Sequence, residues 1–198
     1  MRHFILLIVL VATSLSVLAQ TDGDVIAPET KLYTVTGFLI GGYVRDISGL
    51  EDTQNDLTIN RNQFSVAGRV MWHPGNLLSG GLEGGYMNFY SLKNDSGGLA
   101  VRSAVPLYMV FSMTAWDRVD FGIGYGLGIL SSTISNETTG NSVASGAIST
   151  AWFLSAGYRA PISDRFSVGG EVRYSNMDKL DDKTLSVSAV LSYRLLEY

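Results

Sequence analysis

The stretch Leu185-Ser186-Val187-Ser188-Ala189-Val190-Leu191-Ser192-Tyr193-Arg194-Leu195 decides the fold. Leu185, Val187, Ala189, Leu191, Tyr193 and Leu195 are apolar, while Ser186, Ser188, Ser192 and Arg194 take alternate places. Successive side chains of a strand point to opposite faces, so this spacing makes a strand with one greasy side and one polar side. Just upstream, Phe166, Val168, Gly170, Val172 and Tyr174 alternate with Ser167, Gly169, Glu171 and Arg173.

Moving back along the chain, the period of two returns in segment after segment. Ile148, Trp152, Leu154 and Tyr158 oppose Ser149, Ser155, Gly157 and Arg159. Phe121, Ile123, Tyr125, Leu127 and Ile129 oppose Asp120, Gly122, Gly124, Gly126 and Gly128. Leu99, Val101, Val105, Leu107, Met109 and Phe111 oppose Ala100, Arg102, Ala104 and Ser112. Leu78, Leu82, Tyr86 and Tyr90 oppose Ser79, Gly81, Glu83 and Gly85. Phe64, Val66, Val70 and Trp72 alternate with Gln63, Ser65, Arg69 and His73. The first segment, 32–46, has the faintest pattern, with Tyr33, Val35, Leu39 and Tyr43 assigned to the outer face.

These segments run to roughly 11–15 residues, enough for the ~9–11 of a tilted membrane-crossing strand and well beyond the ~5–6 of soluble strands. Their connections alternate in character. His73-Pro74-Gly75-Asn76, Ala115-Trp116-Asp117-Arg118 and Pro161-Ile162-Ser163-Asp164 have the residue types of tight turns. Between them come longer polar stretches, Ser48 to Asn60, Lys93 to Gly98, Ile134 to Val143 and Asp178 to Lys183. Short turns at one end and long loops at the other describe an all-β chain: an eight-stranded, antiparallel, transmembrane up-and-down β-barrel. The even strand count puts both termini at the turn end.

Composition agrees. The chain has 198 residues, is 46% hydrophobic and only 16% charged, and has a net charge of −4 and no cysteine. That length suits one domain. Mild acidity argues against a nucleic-acid partner, and the lack of cysteine excludes disulfides and thiolate metal sites. Arg2 and His3, the apolar run from Phe4, and Val17-Leu18-Ala19 before Gln20 have the layout of a secretory signal peptide. The expected organisation is a cleaved signal peptide at 1–19, a polar lead at 20–29 and a barrel at 30–198, exported to the bacterial outer membrane.

In this barrel the apolar faces meet lipid and the polar faces fill the lumen. Tyr43, Trp72, Tyr90, Trp116, Tyr158, Tyr174 and Tyr193 fall near strand ends, where aromatic belts are expected. Trp152 sits mid-strand and does not fit. The competing arrangement is a soluble lipid-binding barrel with its apolar face inside; clustering of aromatics towards the strand ends favours the membrane form. Arg69, Glu83, Arg102, Asp120, Arg159, Glu171, Arg173 and Arg194 point into the lumen. An eight-stranded interior is just wide enough for side chains to fill, and buried charge must be paired. An ion-pair network plugging the barrel is favoured over an open polar channel. The glycines Gly122, Gly124, Gly126 and Gly128 lie within a strand with no helix after them, so they are no phosphate loop. They make room for long arginines across the barrel or permit sharp coiling.

Catalytic chemistry finds little support. The mature chain has His73 as its one histidine, beside a turn and distant from outer-leaflet lipid A. A lone histidine makes a poor zinc site. Asp178, Asp181 and Asp182 could hold calcium loosely, but solvated loop charge is the favoured account. No enzyme activity, cofactor or metal is expected.

The segments Val105-Pro106-Leu107, Phe121-Gly122-Ile123-Gly124-Tyr125-Gly126-Leu127-Gly128 and Gly157-Tyr158-Arg159, with the alternating strands, resemble the small outer-membrane barrels of the OmpA/OmpX type. They are similar to the "outer membrane protein beta-barrel domain" proteins of Bacteroidetes-like bacteria. The resemblance spans nearly the whole mature chain. It implies insertion by the barrel assembly machinery, which reads a last strand ending in an aromatic residue. Tyr198 is aromatic but has the opposite parity to Tyr193 and Leu195. It also implies no catalytic residues, and no peptidoglycan-binding domain is expected after Tyr198.

The function expected is a small structural or surface-interaction barrel, serving membrane integrity or adhesion through its outer loops. Its partners would be outer-membrane lipid and lipopolysaccharide, and it would be a monomer. The alternative is a narrow pore or transporter for small or apolar solutes, with a lipid-modifying barrel enzyme last. The loop charges Glu51, Asp52, Asp56, Asp178, Asp181 and Asp182 give an acidic outer rim that suits basic partners or cation bridges.

Overall fold

The computed structural model describes residues 33–48, 57–74, 78–94, 98–115, 118–136, 142–179 and 182–198. The expected signal peptide, the polar lead, Trp116, Glu51, Asp52, Asp56 and Asp181 lie outside them. The strands are β1 (Thr34–Asp46), β2 (Leu57–Asn60), β3 (Asn62–His73), β4 (Leu78–Asn94), β5 (Gly98–Ala115), β6 (Val119–Asn136), β7 (Ser142–Pro161), β8 (Phe166–Met177) and β9 (Asp182–Glu197). β3 pairs with β1 and β4, each later strand pairs with the next, and β9 returns to β1, all antiparallel. β2 continues the line of β3 across Arg61 and pairs with β4 alone. The result is a closed ring of eight strands, which removes the open edges that a sheet would otherwise expose.

Closure sorts the side chains into two populations. Leu39, Leu82, Leu107, Tyr125, Leu154 and Val187 face outward and stay exposed over between 49% and 62% of their surface. A belt this large and apolar has no place in water. The opposite face is packed. Phe38, Ile40, Val44, Met71, Phe89, Tyr108, Val110, Leu130, Phe153 and Met177 are buried within the ring. The lumen is therefore not the wholly polar space expected from the alternation; apolar layers separate its charges. These residues drew no attention in the sequence because, in β1 for example, apolar Phe38 and Ile40 flank apolar Leu39 and erase the alternation.

Two bulges re-aim side chains. Opposite β5, β4 carries one extra residue at Phe89, between Asn88 and Tyr90. Tyr90 consequently packs against the buried cluster rather than joining the outer aromatics, which corrects its expected place in the belt. A second register shift falls where Val35 pairs with Leu196 and Thr36 pairs with Arg194. It leaves both Leu195 and Leu196 exposed and resolves the parity of Tyr198, which stacks on Tyr33 at 5.9 Å. Tyr33 in turn stacks on Trp72 at 6.2 Å, and Phe166 meets Tyr193 at 4.7 Å, so an aromatic girdle marks the turn end.

At the loop end the ring is uneven. β8 ends at Met177, paired with Ala151, but β6 and β7 stay paired as far as Ser135 and Ser142. β5 follows β6 up to Gly98, and β4 pairs there with β5 and β2. Strands β2, β4, β5, β6 and β7 thus rise past the ring as an open five-stranded overhang. Much of what reads as loop in 57–60, 93–98 and 134–143 is strand. The length of β7 also explains Trp152: it is level with Asn176, next to the end of β8, and packs 5.5 Å from Tyr174. It belongs to the aromatics of the loop end after all.

Candidate functional site: the lumen and the loop end

The middle of the lumen holds a closed square of charge. Arg69 on β3 lies directly across from Glu83 on β4, and its Nε donates to Oε2 of that carboxylate at 2.7 Å. Its Nη2 reaches Glu171 at 3.0 Å. Arg173 donates to Glu83 at 2.5 Å and to Glu171 at 2.6 Å. Each carboxylate thus binds both guanidiniums, and the set is electrically neutral. Glu83 is 1% exposed. Paired forks of this kind suit arginine, whose planar donors match a carboxylate at two points.

Aromatic rings back the square. Arg173 lies 4.1 Å from the centroid of Phe153, a cation–π contact, and Phe153 meets Tyr108 edge-on at 4.9 Å. Gly124 is what lets Phe153 lie there: a Cβ at this position would sit 2.1 Å from the ring. The glycine row therefore makes room, but for an aromatic ring that supports arginine rather than for arginine itself.

The other lumen charges form separate pairs instead of one network. Arg159 binds both oxygens of Asp120, at 2.6 Å for the Nη2–Oδ1 contact, and Thr114 donates to the same carboxylate at 2.7 Å. This pair lies towards the turn end, beside Phe38 at 5.1 Å. Towards the loop end, Arg102 binds Asp182 at 3.0 Å and Ser132 at 3.2 Å. Asp182 is only 5% exposed, a correction to its reading as a loop charge: it opens β9 and faces inward. Arg194 is outside every lumen cluster. It pairs with Glu197 at 3.3 Å with both side chains about 40% exposed (41% and 42%), because the strand ends a few residues beyond it.

Two small cavities adjoin the square, of ≈ 20 Å³ and ≈ 30 Å³, each with room for about one or two waters, given that one needs ~10–15 Å³. A wider polar vestibule of ≈ 200 Å³ opens at the turn end, lined by Thr34, His73, Arg159, Asp164, Arg165 and Arg194. His73 there accepts or donates a 2.7 Å hydrogen bond with Ser79 across the β3–β4 turn. This pairing escaped the sequence reading because a turn separates the two residues. Ser79 is 4% exposed, so its hydroxyl is buried behind the imidazole that lines the vestibule.

The outer belts hold Tyr43, Trp72 and Tyr158 in exposed positions, with Tyr174 beside Trp152. Tyr193 lies in the turn-end girdle with Phe166. Among the described residues the exposed charges of the loop end are Arg45, Lys93, Asp178 and Lys179, and Asp178 accepts from Thr150 at 2.8 Å.

A closed antiparallel ring with an apolar exterior, aromatic girdles and a charge-paired interior defines an integral membrane β-barrel. The chain belongs to the family described as "Outer membrane protein beta-barrel domain", whose model matches residues 5–194. No curated protein matches it. Among solved structures it is similar to Ail, the attachment invasion locus protein of Yersinia pestis. The likeness has a TM-score of 0.53 and 13% identity, over 84% of this chain and 100% of Ail. A second Ail structure, in complex with the heparin analogue sucrose octasulfate, matches with a TM-score of 0.52 at 13% identity over the same shares of each chain. Neisserial surface protein A matches with a TM-score of 0.48 and 11% identity over 83% of this chain and 97% of its own. At such identities the likeness concerns the fold alone.

Proposed function

We propose that this protein is a non-conducting, non-enzymatic outer-membrane scaffold that presents its loop end to partners outside the cell. The observation that carries this reading is the contrast between a lumen closed by the Arg69–Glu83–Arg173–Glu171 square and a five-stranded overhang built where no barrel needs it. Rigid scaffolds commonly carry binding on the segments that project from them. The charges at the middle of the lumen are taken up by one another across it, and among the described residues no group of carboxylates and histidines gathers as a metal site. Outer-membrane lipid and lipopolysaccharide are its proposed surroundings, touched by the apolar belt and by the exposed cations Arg45, Lys93 and Lys179.

The test replaces residues 131–146 with a tight turn and compares the shortened and full-length proteins. Both should show the heat-dependent gel shift of an intact barrel and negligible conductance in a planar bilayer. Surface adhesion should be lost with the overhang while membrane integrity persists. Stable channels from the full-length protein would favour a pore. Full adhesion by the shortened barrel would place function elsewhere.

A further inference from the structure

The overhang has an edge that no strand among the described residues closes. Along β7, residues Ser142 to Ile148 pair with β6 on one side, and among the described residues no strand lies on the other. The direction of the free groups follows from the contacts below. The carbonyl of Thr150 accepts from Asp178, on the β8 side, whereas the N–H of Arg159 donates to Arg118, on the β6 side. Even-numbered residues of this regular strand therefore aim both backbone groups away from β6. Ser142, Ala144, Gly146 and Ile148 present N–H and C=O groups in a row that no strand among the described residues pairs.

Exposed edges are normally guarded by charge, proline, a bulge or shortness. Ser142-Val143-Ala144-Ser145-Gly146-Ala147-Ile148 has no charge and no proline, and its pairing with β6 runs without a bulge. The opposite edge of the overhang, β2, is by contrast four residues long and ends against Arg61. Val143 and its cross-strand partner Ile134 are 69% and 61% exposed, so the sheet beside the edge is apolar as well.

We propose that this edge pairs with the same edge of a second copy of the chain held in a facing membrane. The chemistry of the row demands an extended backbone. The small uncharged side chains beside it give no means of selecting a foreign sequence, and a second copy meets no like-charge penalty. Geometry then fixes the arrangement. In one membrane all copies of β7 run in the same direction, towards the turn end, so two of them could pair only in parallel. The more favourable and more frequent antiparallel pairing needs opposed strands, and so opposed barrels. A two-fold axis at Gly146 sets Ala144 of each copy opposite Ile148 of the other. One such strand pair buries far less than the ~1,000 Å² of a stable interface. Contact therefore depends on many copies acting together between two surfaces. This inference rests on the surface-interaction reading above and names the partner.

The test uses phosphatidylcholine vesicles carrying the folded full chain, in two fluorescent colours, read by turbidity and by coincidence of the colours. Vesicles with wild-type protein should cluster steeply as protein density rises, while the protein in detergent stays monomeric. Ala144→Pro removes one edge N–H without removing a bond to β6, and should abolish clustering with the heat-dependent gel shift intact. Should that variant misfold, the charge pair carries the test. A Cβ at Gly146 meets only the Leu130 carbonyl, at 3.7 Å, so the fold accepts side chains there. Gly146→Lys vesicles and Gly146→Glu vesicles should each stay dispersed alone and cluster when mixed. Wild-type vesicles dispersed at every density, or a mixture no different from its components, would overturn the proposal. If wild-type vesicles stay dispersed yet the protein mediates adhesion through its overhang, this inference fails and the scaffold reading stands.

Discussion

Ring and overhang are made of the same strands but obey different physics. Inside the ring each strand has two paired neighbours, one face against lipid and the other against a filled lumen. At the β7 edge of the overhang both faces meet water, as the unbroken exposure of Ser142–Ser145 shows. Lipid outside and packing inside impose alternation on a sequence; water on both sides imposes none. Substitutions should therefore be costly in one region and nearly silent in the other.

The sharpest test of that difference is removal of one carboxylate from the lumen and one from the rim at the loop end. Glu83→Ala leaves Arg69 and Arg173 underpaired in the lumen and should cost about 3–5 kcal/mol, read as a lower unfolding midpoint in urea. Asp178→Ala, at the loop end, should change it by less than about 0.5 kcal/mol. Equal losses would mean that the lumen is well hydrated. A smaller effect is expected from Gly124→Ala, whose new methyl pushes Phe153 off its place beneath Arg173. Overpacking of this kind costs about 1–3 kcal/mol, and near-ultraviolet circular dichroism should report the displaced ring. Smaller still, replacing Glu83, Arg69, Glu171 and Arg173 together by well-packed apolar residues should be close to neutral, since whole buried ion clusters are often replaceable. If that variant is as unstable as Glu83→Ala, the square acts through its geometry rather than its charge balance. The least effect belongs to Ile134→Ser with Val143→Ser in the overhang, which should leave the unfolding midpoint within about 0.5 kcal/mol of wild type.

The ring was legible because its constraint is periodic. Leu185 to Leu195 and Phe121 to Ile129 announce outward faces that the structure bears out. Three things were hidden. Apolar lumen residues such as Phe153 and Tyr108 look like lipid-facing ones, since packing and lipid select the same side chains. The bulge at Phe89 turns Tyr90 inward, and a parity argument cannot foresee one added residue. The strands of the overhang read as loops, because serine, alanine and glycine exposed on both sides carry no period. Of the lumen charges, seven of the eight lie within the barrel in ion pairs, whereas Arg194 ends in the vestibule. Asp182 was missed because its segment is rich in polar residues and its strand begins with it.

The square also bears on the order of assembly. Arg69 and Glu83 come from adjacent strands of the first half of the chain, and Glu171 and Arg173 are two residues apart in the second. Each half can hold its own charges in a neutral pair before it has met the other. The contacts from Arg69 to Glu171 and from Arg173 to Glu83 join the two halves across the lumen. Neither half has to carry a bare charge into the bilayer while it waits. Closing the ring therefore joins two local pairs into one shared cluster, so the contacts that span the lumen reward closure itself.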